Sequence, residues 1–302
     1  MMKTILKMKK NNSNKLRFEM KLKTMIVIFI LLFTSLACSF NLNIPKVATS
    51  DETIYTISEA VPQDQESSEL EIGMGAGRLN ITGGSDNWVT GDVRYNVSIW
   101  NPEIHRTNYG IRIIQETNKQ FGIPDEKVIN DWNIQLGDHP TNLKINAGAY
   151  QGNLDLSGIP LTKLRISDGA SQGNIRFDTL NPVEMSSFHY STGASQVEII
   201  GLANANTDSM VFEAGPGSYT LDFSGDLQRD IDIEINYGLG DVKIIIPKGV
   251  SAYVIVDGGL NNVELKGTWN VSGNEYNLYG TGPQLSFNVK MGIGNLQLIS
   301  QP

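Results

Sequence analysis

A glycine that returns about every 22 residues limits what this chain can fold into, because a fixed period of that length means one small structural unit used repeatedly. The tetrapeptide GASQ occurs twice, at Gly169–Gln172 and Gly193–Gln196. Around it, INAGAYQGNLDL, ISDGASQGNIRF, YSTGASQVEI, FEAGPGSYTL, INYGLGDVKI and VDGGLNNVEL share one frame: an apolar position, two residues, a glycine, small residues, then alternating apolar positions. Their lead glycines, Gly148, Gly169, Gly193, Gly215, Gly238 and Gly259, stand 21, 24, 22, 23 and 21 residues apart. Outlying copies are MGAGRLNI, led by Gly75, and VKMGIGNLQL, led by Gly292.

Alternation of period two runs into each glycine and out of it, as in Leu143 and Ile145, then Leu154 and Leu156, so each unit reads as two short strands. Glycine suits the corner between them through its tolerance of positive φ and close backbone approach, and Ala149, Ala170 and Ala194 keep the next position small. Turn chemistry (SGIP, SGD, PKG, KG) follows the second strands. One unit cannot bury its own apolar face, so the units must stack. The expected fold class is all-β, a solenoid-like stack of two-strand units of about 22 residues over 136–302 with a C-terminal cap, WNVSGNEYNLYGTGPQLSFNVKMGIGNLQLI closing it. Residues 53–135 break the period while still reading as strands, which suits a cap that hides the terminal edge; KQFGIPDEKVINDW interrupts them as a loop or short helix.

The N-terminus reads as an address. Residues 1–37 hold eight Lys or Arg and one acid, and TMIVIFILLFTSLA ends just before Cys38, the chain's single cysteine. The 13 residues from Met25 to Ala37 span about 20 Å as a helix, short of a bilayer core of ~30 Å. A cleaved signal over 1–37 is therefore expected; its tail SLAC resembles a bacterial lipobox, which implies a lipoprotein with Cys38 as the lipid attachment site, and a start at Met20 gives the signal a more usual length. Acyl chains contribute ~0.8 kcal/mol per buried methylene. Residues 38–52 read as a tether spanning about 20 Å. Beyond the signal, 16 bases face 31 acids, a net charge near −15, which disfavours nucleic acid as a partner.

The stretches ELEIGMGAGRLNITGG, NDWNIQLGDHPTNLKINAGAYQGNLDLSGIPLTKLRISDGA and LDFSGDL resemble the bacterial toast-rack family. The later GDVKIIIPKGVSAYVIVDGGLNNVELKG is similar to repeats of cell-wall-active antibiotic response proteins and of β-solenoid adhesins. The resemblance covers roughly 53–302, is most specific from Trp132 to Gly225, and implies an extracytoplasmic, strand-stacked protein with no established activity and no family catalytic residues to carry over.

The residues name no reaction. GMGAG, GPG and GLG are followed by alternation rather than a helix N-terminus, so they read as corners and not as phosphate loops. Asp155, Asp168, Asp178, Asp222, Asp226, Asp241 and Asp257 recur near turns, and the outward row Asp155, Arg176, Glu198, Thr220, Lys243 and Glu264 reads as ordinary strand surface. His105, His139 and His189 read as a loop histidine, one before Pro140, and a strand residue, with no metal site among them. Trp88, Trp100, Trp132 and Trp269, with Tyr150, Tyr190, Tyr237 and Tyr279, read as core or cap packing before they read as glycan platforms. No cofactor or catalytic residue is expected. The expectation is a non-enzymatic, lipid-anchored extracytoplasmic scaffold or adhesin-like protein, held to the membrane through its anchor and contacting envelope proteins or glycans. An envelope-stress sensor is the alternative, and a polysaccharide-active enzyme a more distant third.

Overall fold

The computed structural model describes residues 48–63, 65–115 and 127–301. The signal, Cys38, the first part of the tether and most of KQFGIPDEKVINDW lie outside them; its last residues, from Asn130, begin a strand. No helix among the described residues is long and apolar enough to cross a membrane.

Among the described residues sixteen strands make one sheet: β1 (Thr53–Glu59), β2 (Ser68–Gly83), β3 (Val89–Tyr95), β4 (Pro102–Thr107), β5 (Gly110–Gln115), β6 (Asn130–Leu136), β7 (Thr141–Asp155), β8 (Leu161–Arg176), β9 (Phe188–Ile200), β10 (Ser209–Ala214), β11 (Gly217–Asp222), β12 (Ile231–Ile246), β13 (Ser251–Lys266), β14 (Asn270–Ser272), β15 (Glu275–Leu278) and β16 (Gln284–Ser300). The two short strands expected per unit are mostly one long strand that continues through the corner. In β7, Leu143 and Ile145 face the core, Gly148 and Ala149 are both exposed, and Tyr150 and Leu154 face the core again. Alternation thus slips by one at the glycine, so both legs of the strand look at the same interior. The pairing ladder skips a residue there as well: Ala147 pairs with Asp168 and Ala149 with Ala170, with no Gly148 to Gly169 pair between them. Only the unit led by Gly215 is split in two, into β10 and β11, around Pro216, which has no N–H to donate to a ladder.

The legs stack in parallel, β2 on β7, β8, β9, the β10/β11 pair and β12. β2, led by Gly75, is already a full rung, so the stack begins within 53–135 rather than after it. Beyond β2, β5 and β6 divide a rung between them, and antiparallel β4, β3 and β1 cover that end.

At the other end, chain order and stacking order part company. β16, the last strand, inserts between β12 and β13 and pairs in parallel with both. The expected closing segment therefore does two jobs: β14 and β15 fold back as a hairpin over the first leg of β13, while β16 becomes an interior rung. An interior place suits QLSFNVKMGIGNLQLIS, whose Leu285, Phe287, Val289, Met291, Leu296 and Leu298 are all buried.

Between the legs lies one core of aliphatic side chains, with edge-on ring pairs such as Phe188–Phe212 (5.5 Å) and Phe223–Phe287 (5.0 Å). Buried asparagines hold the crossovers. Asn181, 1% exposed, donates to the carbonyls of Leu161 (2.8 Å) and Ala205 (3.2 Å) and accepts from the Leu161 N–H (3.1 Å). Asn204 donates to the Phe177 carbonyl (2.7 Å) and accepts from the Asp226 N–H (2.9 Å), so turn backbone that would be left unpaired is satisfied.

Candidate functional site

The corner glycines form a column. A Cβ on Gly148 would stand 2.5 Å from the Gly75 carbonyl oxygen, on Gly169 2.8 Å from that of Gly148, on Gly193 2.3 Å from that of Gly169, on Gly215 2.0 Å from that of Gly193, and on Gly292 2.3 Å from that of Gly238. These distances are too short for any side chain. Gly238 and Gly259 are roomier, with nearest atoms at 3.7 and 3.5 Å. None of the eight corner glycines has positive φ, so that half of the expected reason is corrected, and close approach is what selects glycine at Gly148, Gly169, Gly193, Gly215 and Gly292. Small size at the next position is not needed either, since Leu239 and Ile293 occupy it and point to solvent, 49% and 54% exposed.

Just inside this column the GASQ repeat builds a polar cluster in an otherwise apolar frame. Asp168 is the last inward position of the first leg of β8; Thr192 and Ser195 flank the corner of β9, each 7% exposed. The Asp168 carboxylate accepts from the hydroxyls of Tyr190 (2.9 Å), Thr192 and Ser195 (3.3 Å). Ser171 bonds Ser195 (2.9 Å) and Tyr190 (3.1 Å). Burial pushes the phenols of Tyr150 and Tyr190 well above their ordinary value, and the Asp168 charge adds to it. The hydroxyls of Ser171, Tyr190, Thr192 and Ser195 each bond the Asp168 carboxylate or another hydroxyl of the group, so the cluster ties neighbouring rungs at the corner. The frame gave a signal for it: serine at 171 and 195 stands where the other units carry glycine, tyrosine or, at Asn261, asparagine.

On the outer face of the second legs, Gln172, Asn174, Gln196, Glu198, Ser218 and Thr220 surround an open groove of ≈ 340 Å³ whose floor includes Gly152, Gly173 and Val197. The expected outward row needs a shift. Glu198, Thr220 and Lys243 are in register, followed by Gln297 and Glu264, but the partners on the earlier rungs are Asn174 and Asn153, with Arg176 and Asp155 two residues further along. The row is more amide-rich than expected.

The remaining candidates separate. His105 lies in β4 rather than a loop, 3.5 Å from Glu103. His189 lies in β9, as expected, with Nε2 3.1 Å from Glu213. Among the described residues no group of three His, Cys, Asp or Glu side chains is placed to hold a metal ion. Trp88 and Trp132 are fully buried and Trp269 packs on the core; Tyr279, 81% exposed, does not.

His139 packs edge-on to Trp88 at 5.9 Å and its Nε2 lies 2.9 Å from the hydroxyl of buried Ser68. Burial lowers its pKa below the ordinary 6.5. The folded state then binds fewer protons than the unfolded one, so stability is full above about 6.5 and declines as pH falls from there toward the folded value. Glu71 also has a lowered pKa: burial raises it, but Arg112 and Lys144 outweigh that, and its contribution is lost only in the acid range below 4.5. Between pH 7.5 and 5.5 the melting temperature should fall in the native chain and fall measurably less in His139→Gln; parallel slopes would show that His139 is not the group responsible.

A bent, parallel, glycine-cornered rack with polar outer faces defines the class of this protein. The chain belongs to the family described as the N-terminal domain of toast_rack, DUF2154, whose family model matches residues 44–200. Among solved structures it is similar to a "putative cell adhesion protein" from Clostridium sporogenes, at 21% identity and TM-score 0.47 over 83% of this chain and 99% of that one. It is also similar to a "putative adhesin" from Bacteroides fragilis (11%, TM-score 0.35, 82% and 95%) and to a "putative lipid binding protein" from Parabacteroides distasonis (12%, TM-score 0.39, 82% and 97%). No curated protein matches.

Proposed function

We propose that the chain is a non-enzymatic, adhesin-like scaffold of the cell envelope, held to a membrane through a lipid on Cys38 and making protein or glycan contacts along its rack. The observation that carries this reading is the open groove among Gln172, Asn174, Gln196, Glu198, Ser218 and Thr220: exposed amides, hydroxyls and one carboxylate, presented in register by neighbouring rungs of a rigid stack. Such groups both donate and accept hydrogen bonds and suit a hydroxyl- or amide-bearing partner. Membership of the toast-rack family agrees with it.

Two variants test the two halves. Cys38→Ala should move the chain from the membrane pellet to the soluble fraction, and retention in the pellet would remove the anchor. Asn174→Arg with Gln196→Arg fills the groove from exposed positions and should weaken capture of envelope fragments on protein-coated beads by about tenfold. Undiminished capture would remove the groove from the reading.

A further inference from the structure

The outer face of the first legs carries a row of basic side chains in which, among the described residues, Lys163 and Arg165 have no carboxylate partner. In register across neighbouring strands run Arg112 of β5, Glu71 of β2, Lys144 of β7, Arg165 of β8 and His189 of β9. Glu71 is already engaged three times, by Arg112 Nε (2.9 Å), Asn146 Nδ2 (2.8 Å) and Lys144 Nζ (3.3 Å). At the next strand the alternation of charge fails: Lys144 stands opposite Arg165, cation against cation. Arg165 is exposed, and among the described residues its side chain has one polar neighbour, His189 Nδ1 at 3.5 Å. His189 gives its Nε2 to Glu213 at 3.1 Å, so the ring is oriented with Nδ1 toward the guanidinium. Two residues from Arg165 on the same face, exposed Lys163 has no ion pair or side-chain hydrogen bond among the described residues and pairs across the sheet with neutral Asn142.

Like charges placed directly opposite on adjacent strands oppose folding. In a chain with 24 bases and 32 acids there is no shortage of carboxylates to interleave, and elsewhere on this face they are interleaved, as at Lys290–Glu234 (3.2 Å). Lys144, Lys163 and Arg165 together form a positive step of adjoining strands, spaced about 4.8 Å apart. The acids Glu69 and Glu213 border it on either side, which admits a thin chain of negative charge and repels a broad negative plane.

We propose that this row binds a linear polymer bearing phosphate groups, with the Arg165 guanidinium as a two-pronged donor to phosphate oxygens and Lys163 and Lys144 as point charges beside it. The site lies on the opposite leg from the amide groove, and it stands or falls independently of the lipid anchor.

Inorganic polyphosphate is the probe, titrated against the full chain in detergent at low salt. Binding should weaken with added salt, with a log–log slope of roughly −2 for three cationic contacts. Lys163→Gln with Arg165→Gln should lower affinity at least about tenfold and flatten that slope. Both positions are exposed and Arg165→Gln relieves the facing of like charges, so a melting temperature equal to or above the native one certifies that the variant is folded. Lys243→Gln with Lys290→Gln, on other parts of the surface, should bind as the native chain does. Three results would overturn the proposal: no polyphosphate binding at low salt, equal binding by the Lys163/Arg165 variant, or vesicles of anionic phospholipid held as tightly as polyphosphate, which would make the surface a membrane contact.

Discussion

Gly193→Ala should destabilise the rack by about 3 kcal/mol, although it adds a single methyl group at an exposed position with ordinary backbone geometry. The added carbon would stand 2.3 Å from the Gly169 carbonyl oxygen and 3.2 Å from its carbonyl carbon. The Gly169 carbonyl has little room to retreat, because the corner is one layer in a close-packed column, in which a Cβ added to Gly169 would likewise stand 2.8 Å from the Gly148 oxygen. The rungs must separate locally. Since each rung contacts only its neighbours, the loss should appear first as protease cleavage near residues 190–200 and then spread along the stack. Gly238→Ala is the matched comparison: same residue type, same column, same non-positive φ, but the nearest atom at 3.7 Å, so it should stay within ±0.5 kcal/mol. Glu198→Ala, exposed on the second leg of β9, should do likewise. Equal effects at Gly193 and Gly238 in thermal unfolding would show that close approach is not what selects glycine at the corner.

A chain ended at Gly282 should lose not a cap but an interior rung. The truncation removes β16, and with it the buried side chains Leu285, Phe287, Val289, Met291, Leu296 and Leu298. At ~1.5 to 3 kcal/mol each their burial contributes on the order of 10 kcal/mol, comparable with the entire stability of many domains. β12 would expose its far edge, and β13 would lose the strand to which both its legs are paired. Limited proteolysis should therefore digest the truncated chain from Pro247 onward while the rungs from β2 to β12 survive. If 247–278 stayed protected, β13 would have closed directly on β12, and the observed order of the last strands would not be what holds this end together.

These two experiments bear on different halves of what can be read from the residues. The glycine period, the alternation on either side of it and the stacking they require were legible because each depends on contacts repeated in every unit. Leu143, Ile145, Leu154 and Leu156 are all buried where the frame placed them, and Gly148, Gly169, Gly193 and Gly215 do face one another's backbones. The physical reason for glycine was not legible. Positive φ and close approach both favour glycine over residues with a Cβ, and only the folded backbone distinguishes them, in favour of close approach at Gly148, Gly169, Gly193, Gly215 and Gly292.

The Asp168 cluster was half legible. Its serines were visible in the repeated GASQ, but that Tyr190, Thr192 and Ser195 would converge on Asp168, named only as one of several turn acids, depends on two adjacent corners being in register. The facing of Lys144 and Arg165 was not legible at all, because composition shows a net-acidic chain and the two cations are 21 residues apart until the sheet sets them side by side.

By itself, then, the sequence determined the rung: a strand, a glycine corner, a second strand, and an apolar face that must be covered by another copy of the same thing. Tertiary structure decided the order of the rungs. The apolar patterns of β12, β13 and β16 are nearly interchangeable, so local preference cannot choose among their pairings. The choice falls to the chain after Lys266, which turns back as the β14–β15 hairpin and covers one edge of the first leg of β13, leaving the gap between β12 and β13 as the place where β16 pairs both of its edges with parallel partners and turns one face to the core.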